Sequence, residues 1–409
     1  MAATVMDGAV QIAAEAWEVV RLAPAWLLLL SGISILLFAF ISLYLTLHLI
    51  APLPRHPHPS EKTYITTLPS GGVTTPQPLA CWHDDWLAHR ASSAAGAESK
   101  DTGHIEPATL AMSVVIPAYN EEARLETMLE EAVSYLDATY GRASSPTSPS
   151  TKSTKSKTSK STTTTAEPTG YEILLINDGS TDSTISTALR FSHAHSLHST
   201  LRIISLHRNR GKGGAVTHGL RHVRGTHAVF ADADGASRFR DLGALVAGAE
   251  LVKDSGGRAV AVGSRAHLVG SEAVVKRSFV RNALMHSFHL LLRLLTPPAT
   301  SRIRDTQCGF KLFTRAALPH IIPYMHAEGW IFDVEMLMLA ESAPVCIPEE
   351  KHEGGKIGGA VRGVRVAEVP IAWQEVGGSK LNVLWDSIGM AFGLAVLRAS
   401  WALGVYRRR

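Results

Sequence analysis

From residue 111 onward, short apolar runs alternate with longer stretches in which apolar positions recur every three or four residues. The runs fall at 112–117, 171–177, 201–207, 227–231 and 259–263. They are rich in aliphatic residues and bounded by Gly, Asn, Asp and Pro, which marks buried strands. Between them, sets such as Leu125, Leu129, Val133 and Leu136 keep the spacing of one helical face. The alternation predicts an α/β fold, a mainly parallel sheet with helices on both faces. Sheets of this kind take ligands beyond the carboxyl ends of their strands, so the polar residues just after each run are where chemistry is expected.

A different pattern precedes this. Residues 26–50 contain no Asp, Glu, Lys or Arg. At ~1.5 Å per residue such a helix spans a bilayer core of about 30 Å, and it is too long for the apolar part of a cleaved signal peptide. A single transmembrane anchor at 25–50 is the reading. Arg55 and Lys62 follow it and only Arg21 precedes it, which favours a cytosolic C-terminal side and a lumenal tail at 1–24. Residues 51–110 lack a long periodic stretch and read as a tether, with Trp82 and Trp86 able to dock on the domain or the membrane. The catalytic domain is expected at 111–345, interrupted at 142–169 by a Ser/Thr/Lys/Pro insertion unable to bury enough apolar surface to fold. The part at 346–409 ends in an apolar stretch broken by Asp386 and Arg398, read as an amphipathic membrane-associated helix, with packing on the domain as the alternative.

Composition narrows the picture. A net charge of +4 over 409 residues gives no argument for nucleic acid. Cys81, Cys308 and Cys346 are too few and scattered for a disulfide frame or a cysteine metal site. His326 and His352 lack metal-ligand spacing and read as structural.

The residues after the runs carry the chemistry. Asp232 and Asp234 close the fourth run, and alternate strand positions would point both carboxylates one way, as a divalent cation shared with phosphate oxygens requires. After the first run, Asn120 can cap the next helix. After the second, Asp178 precedes Gly179 in a tight turn into a helix. After the third, Arg208 to Ala215 form a basic, glycine-rich bend whose main chain could approach an anion.

Taken in order, IPAYNEE, NDGSTDST, GKGGA, DADG, GSR and QCGFKLF resemble the membrane-associated inverting glycosyltransferases of family 2. The resemblance covers roughly residue 112 to the C-terminus, plus the anchor. The insertion and the Gly-rich stretch 353–363 depart from the family's compact pattern. The resemblance implies a nucleotide-diphospho-sugar transferase fold of GT-A type and a membrane enzyme of the endoplasmic reticulum facing the cytosol. It further implies UDP-glucose as donor and dolichyl phosphate as acceptor. Carried over, Pro117, Tyr119 and Glu121 line a uridine pocket, Asp178 faces the uracil, and Lys212 lies toward the base and ribose. Asp232 and Asp234 hold Mg²⁺ or Mn²⁺ against the diphosphate. The acceptor phosphate is largely dianionic near neutral pH, so it needs positive charge for capture rather than a strong base. Arg265, with Arg277 and Arg281 one helical turn apart, is the expected clamp, and Asp234 and Arg265 are the expected catalytic pair. Asp305, Gln307, Trp330 and Asp333 are expected near the sugar and acceptor, with Glu335 undecided. Two alternatives stand beside this reading: a mannosyltransferase using GDP-mannose, and a silent nucleotide-sugar binder.

Overall fold

The computed structural model describes residues 17–18, 21–93, 103, 105–142, 168–268, 279–345, 363–377 and 383–408. Most of the insertion, most of the stretch at 353–363, Cys346, His352 and Arg277 lie outside them. Two compact units result, one of 1–51 with 396–407 and one of 52–395 with 408–409. In the first, α1 (Ala25–Ile50) has 26 residues, and its most apolar window is 0% buried. It is long and apolar enough to cross a membrane.

The larger unit begins with a correction. Instead of a bare tether, residues 52–93 carry a strand pair, β1 (Thr63–Tyr64) with β2 (Gln77–Pro78), and helix α2 (Trp82–Ser93). Isolated anchors, which leave no periodic trace, hold them down. Ile65 bridges to Ile203, buried Glu61 accepts from the His207 amide, and Thr66 Oγ1 donates to the Leu201 carbonyl. Trp82 and Trp86 are both buried on this unit, where Trp82 Nε1 donates to the Leu220 carbonyl at 2.7 Å and Trp86 meets Tyr324 edge-on.

The expected alternation then follows: β3 (Leu110–Ala118), α3 (Leu125–Tyr140), β4 (Tyr171–Asn177), α4 (Thr184–Ala194), β5 (Leu201–Ser205), α5 (Gly211–Leu220), β6 (Gly225–Ala231), α6 (Leu242–Val252) and β7 (Ala259–Ser264). After these come α7 (Phe279–Leu295), α8 (Pro298–Arg302), β8 (Phe310–Thr314), α9 (Phe332–Glu341), β9 (Arg365–Pro370) and α10 (Val383–Ala402). The sheet runs β5-β4-β3-β6-β8-β7-β9, and only β8 is antiparallel, to both β6 and β7. Helices cover both faces, because alternate β3 residues point to opposite sides. Val114 and Ile116 join Leu125, Leu129, Val133 and Leu136 of α3 in one core. Val115 faces the other way, against Gly219 of α5, where a β-carbon would sit 2.4 Å from its Cγ1.

The chain orders β5-β4-β3 outward to one side of β3 and places β6 on the other. The carboxyl ends of β3, β4 and β6 thus open a crevice where the strand order reverses, the usual ligand position in such sheets. The expected apolar face of α7 is only partly covered: Leu292 is buried, Phe288, Leu291 and Leu295 are half-buried, and the Leu284 side chain is outside the described residues. On α10, Met390 and Leu394 are buried while Trp385, Ile388 and Phe392 are exposed.

Candidate active site

Two loops at the crevice are laced together by their own polar residues. Asn120 does not cap α3, whose N-cap is Arg124 without a side-chain hydrogen bond. It takes φ 52°, a left-handed conformation that Asn tolerates better than most residues. From there its Oδ1 accepts from the Thr181 amide at 2.8 Å, its own amide donates to Ser180 Oγ at 2.9 Å, and the Glu121 amide donates to Thr184 Oγ1 at 2.8 Å. Asp182 Oδ1 accepts from the Thr184 amide at 3.0 Å, bracing the start of α4. Half-buried Pro117 sits in register with Ile176. Tyr119, 40% exposed, presents an aromatic ring at the crevice rim. Glu121 is gripped by Arg124 through two 2.8 Å hydrogen bonds, and Arg124 Nη1 also donates to the Gly377 carbonyl.

Asp178 is buried, and its Oδ1 accepts from the Arg210 amide at 2.6 Å. Burial pushes its carboxyl up to about 6, against the pull of the Arg210 and Gly211 amides. The carboxylate is therefore charged at neutral pH and close to titration.

Asp232 and Asp234 lie just past β6, which ends at Ala231, in a turn where Gly235 takes φ 69°. They converge for a reason other than strand alternation. The Asp232 amide donates to the Gly309 carbonyl at 3.0 Å, and Asp234 Oδ1 accepts from the Ala236 amide at 3.0 Å. The Asp234 carboxyl is raised, first by burial and then by the Asp232 charge, so the two carboxylates share one electrostatic neighbourhood. No third His, Cys, Asp or Glu joins them among the described residues. An oxygen-only pair suits a hard cation that completes its shell with phosphate oxygens and water.

Lys212 was expected toward the base and ribose. Its ammonium lies 2.6 Å from Asp232 Oδ1 and 5.9 Å from the centre of the Trp330 ring. Burial opposes its charge, but Asp232, Asp333 and Asp234 outweigh that and raise its pKa. The glycines around it admit another part of the chain. A β-carbon on Gly211 would stand 2.8 Å from the Glu328 carbonyl and one on Gly213 2.6 Å from Phe332 Cβ, and the Gly214 amide donates to the Glu328 carbonyl at 3.1 Å. They let residues 328–332 press onto the start of α5.

Arg265 grips Asp305 through Nε at 2.7 Å and Nη2 at 2.8 Å, and lies 5.6 Å from the Trp373 ring centre. Burial opposes its charge, but Asp305 holds the guanidinium protonated and is itself lowered despite burial. The expected clamp is thus already bidentate on an acid, and its partner Arg281 has only its backbone among the described residues. Gln307 Nε2 meets Met390 Sδ at 2.8 Å, tying the site to α10. Asp333 is buried in an ion pair with Lys311, which also donates to the Cys308 carbonyl at 2.6 Å. Burial raises the Asp333 carboxyl in spite of Lys311 and Lys212. Glu335 faces away, accepting from the His326 and Ala327 amides.

Sequence reasoning gave no individual role to Lys311 or Gly309 within the segment 305–311 expected at the sugar and acceptor, and none to Glu328. The signal for Lys311 was a charge between Phe310 and Leu312 in a strand-like run. For Gly309 it was glycine beside a β-type run, a sign of close backbone approach.

The family model described as Glycosyl transferase family 2 matches residues 150–319. A Saccharomyces cerevisiae protein named dolichyl-phosphate beta-glucosyltransferase is 37% identical, over 91% of this chain and 94% of its own. Proteins of the same name from Drosophila melanogaster and Homo sapiens are 38% and 36% identical over 73% of this chain and 78% of theirs. Among solved structures, Mycobacterium tuberculosis glucosyl-3-phosphoglycerate synthase in complex with Mn²⁺, UDP-glucose and phosphoglyceric acid aligns with a TM-score of 0.44 and 16% identity. The alignment covers 71% of this chain and 80% of that one.

Proposed function

This chain belongs to the dolichyl-phosphate beta-glucosyltransferases of glycosyltransferase family 2, and we propose that it transfers glucose from UDP-glucose to dolichyl phosphate with inversion. The near end-to-end match with the yeast relative carries this reading. An oxygen of the lipid phosphate attacks the anomeric carbon. The bond from that carbon to the UDP oxygen breaks, UDP leaves with the electron pair, and the glucose is left β-linked to the lipid phosphate. The nucleophile is already an anion, so no side chain need remove a proton.

The residues divide the work as follows. Tyr119 and Pro117 flank the base, Asp178 accepts a hydrogen bond from it, and Glu121 is held to the pocket wall by Arg124. Asp232 and Asp234 would hold Mg²⁺ or Mn²⁺, which when bound offsets charge on the diphosphate. Lys212, adjacent to Asp232, supplies a further positive charge to the departing UDP. Arg265 holds Asp305 at the proposed sugar and acceptor end, and the family resemblance assigns Arg277 and Arg281 to capture of the acceptor phosphate. Asp333, paired with Lys311, also favours the charged form of Lys212, and Trp330 lies beside it. On this reading the enzyme works at the endoplasmic reticulum membrane with its catalytic unit facing the cytosol, which the apolar helix α1 and the Lys/Arg bias after it support. The exposed Trp385, Ile388 and Phe392 on α10, at helical spacing, suit a helix lying in the membrane interface.

The test uses full-length protein in detergent with a divalent cation, dolichyl phosphate and radiolabelled UDP-glucose or GDP-mannose. A chloroform-soluble β-glucolipid formed from UDP-glucose alone, and lost in Asp234→Ala, is expected. A mannolipid, an α-linked product or no lipid product overturns the reading.

A further inference from the structure

Glu328 stands at a junction that no expectation from the sequence anticipated. Its carboxylate bridges two arginines: Arg55 Nε lies 2.9 Å from Oε2, and Arg210 Nη2 and Nε lie 2.6 and 3.0 Å from Oε1. Arg210 Nη2 also donates to the Arg55 carbonyl at 3.3 Å, closing a three-residue ring. Two of its members, Arg210 and Glu328, touch something the donor site uses. The Arg210 amide donates to Asp178, and the Glu328 carbonyl accepts from Gly214, one turn of α5 that also carries Lys212. Two residues beyond Glu328, Trp330 lies beside Lys212.

The three partners differ in how they are fixed. Arg210 is almost wholly enclosed, its side chain 6% exposed, whereas that of Arg55 is 44% exposed. Arg55 follows closely on Ile50, the end of the apolar helix. It stands at the mouth of a cleft of about 280 Å³ that also borders His58, His207, Arg208 and Arg210. Glu328 lies on a loop held to α5 by the Gly214 amide hydrogen bond, by the Arg210 ion pair and by packing against glycines. The Arg55 ion pair adds a further hold from the outer, more exposed side.

We propose that Arg55 is a positioning residue for glucosyl transfer. By holding Glu328, the segment that follows the membrane helix keeps residues 328–332 seated on α5 and keeps Trp330 beside Lys212. The inference rests on the proposed function for its kinetic readout, but its structural readout is independent of activity.

Full-length wild type, Arg55→Ala, Arg55→Lys, Glu328→Gln and the Arg55→Ala/Glu328→Gln double variant are compared in detergent by amide hydrogen exchange and by steady-state transfer to a water-soluble short-chain polyprenyl phosphate. Exchange in peptides covering 211–216 and 326–332 is expected to quicken by about two- to ten-fold in Arg55→Ala, the range of a partly exposed charged pair. Arg55→Lys should restore most of the protection. KM for UDP-glucose should rise by a similar factor while KM for the soluble acceptor stays put, and the double variant should match Glu328→Gln alone. Unchanged exchange in Arg55→Ala, or effects of the two substitutions that simply add, would overturn the proposal. A rise confined to the acceptor KM would also overturn it, by assigning Arg55 to lipid capture. If wild type transfers no glucose while Arg55→Ala still quickens exchange, the function fails and the seating role stands.

Discussion

Replacing Gly309 with alanine tests how the Asp232 carboxylate is placed. The new β-carbon would lie 1.9 Å from Asp232 Oδ2, 2.2 Å from Cγ and 2.4 Å from Oδ1. Ordinary contact begins near 3.5 Å, so the carboxylate must retreat by roughly 1–1.5 Å. It cannot do so freely, because its own backbone amide is fixed to the Gly309 carbonyl and its Oδ1 to Lys212. Gly309 has no positive φ, so alanine fits the backbone and the strain falls on the side chain opposite. Misplacement of about 1 Å at a reacting centre lowers turnover by about 100-fold. Displacing a cation ligand should also raise the half-saturating Mg²⁺ or Mn²⁺ concentration by about 10- to 100-fold. Overpacking costs about 1–3 kcal/mol, which leaves the unit folded. Glucolipid formation would be measured across a metal titration, beside Gly329→Ala, whose β-carbon meets nothing within 4 Å. Gly309→Ala keeping wild-type activity, or losing it with an unchanged metal midpoint, would refute the reasoning.

The remaining predictions concern Asp178, Lys311 and Trp82. With a carboxyl raised to about 6, Asp178 is neutral in more acid solution, so kcat/KM for UDP-glucose should fall below about pH 6, and Asp178→Asn should lack that limb. Its folded pKa exceeds the unfolded 3.8, so its contribution to stability is complete below 3.8 and vanishes as pH rises through about 6. At pH 7.5, Asp178→Asn should therefore melt no lower than wild type, and a clear drop in a thermal scan would contradict this. Lys311→Met strands a buried Asp333 and should cost about 3–5 kcal/mol in denaturant unfolding, much of it recovered on adding Asp333→Asn. If the double variant is the less stable, Lys311 acts by packing rather than charge. Trp82→Ala empties a buried site and strands the Leu220 carbonyl, for about 3–5 kcal/mol. A melting temperature within about 2 °C of wild type would return residues 52–93 to the status of a loose tether.

What the pattern of residues revealed depended on how local its cause was. The strands β3 to β7 were readable because each is a short buried run closed by turn residues, and a parallel sheet covered on both faces requires such runs. β8 was hidden inside a stretch whose polar residues looked chemical, since Lys311 interrupts an otherwise apolar strand and is neutralised only by Asp333, 22 positions on. β9 is an edge strand beside β7 and reads RVAEVP, half-buried along its middle and exposed at both ends, so it lacks a buried run's signature. Residues 52–93 were misread because Glu61, Thr66 and Trp82 each find a partner more than a hundred positions away. At the site, the two aspartates were located from a strand geometry that ends one residue too early. The glycines at 211, 213 and 214 were noticed as places of close approach, but what approaches is the chain at 328–332. A single sequence shows that room is needed and not which neighbour takes it.

Charge pairing in the site sets the order in which a donor and an acceptor could enter. Lys212 is paired with Asp232, Arg265 with Asp305 and Arg124 with Glu121, so anionic substrates meet cations that already have partners. A phosphate gains from such a cation only what it offers beyond the carboxylate it replaces. The pairs differ in how readily they can exchange. Lys311 and Asp333 are 0% and 3% exposed, and breaking them would leave a buried charge without compensation, a cost of several kcal/mol. Lys212 and Asp232, 18% and 30% exposed, can part while each stays in reach of water. On the proposed reading, a diphosphate would replace Asp232 as the partner of Lys212, and a cation held by Asp232 and Asp234 would supply the positive charge that Asp232 gives up. The lipid phosphate supplies only an anion, which would leave Asp232 unpaired beside Asp234. Donor binding ahead of acceptor follows, and product-inhibition patterns would report it: UDP competitive with UDP-glucose and noncompetitive with dolichyl phosphate. The reverse pattern would mean that the Lys212–Asp232 pair stays closed through the cycle.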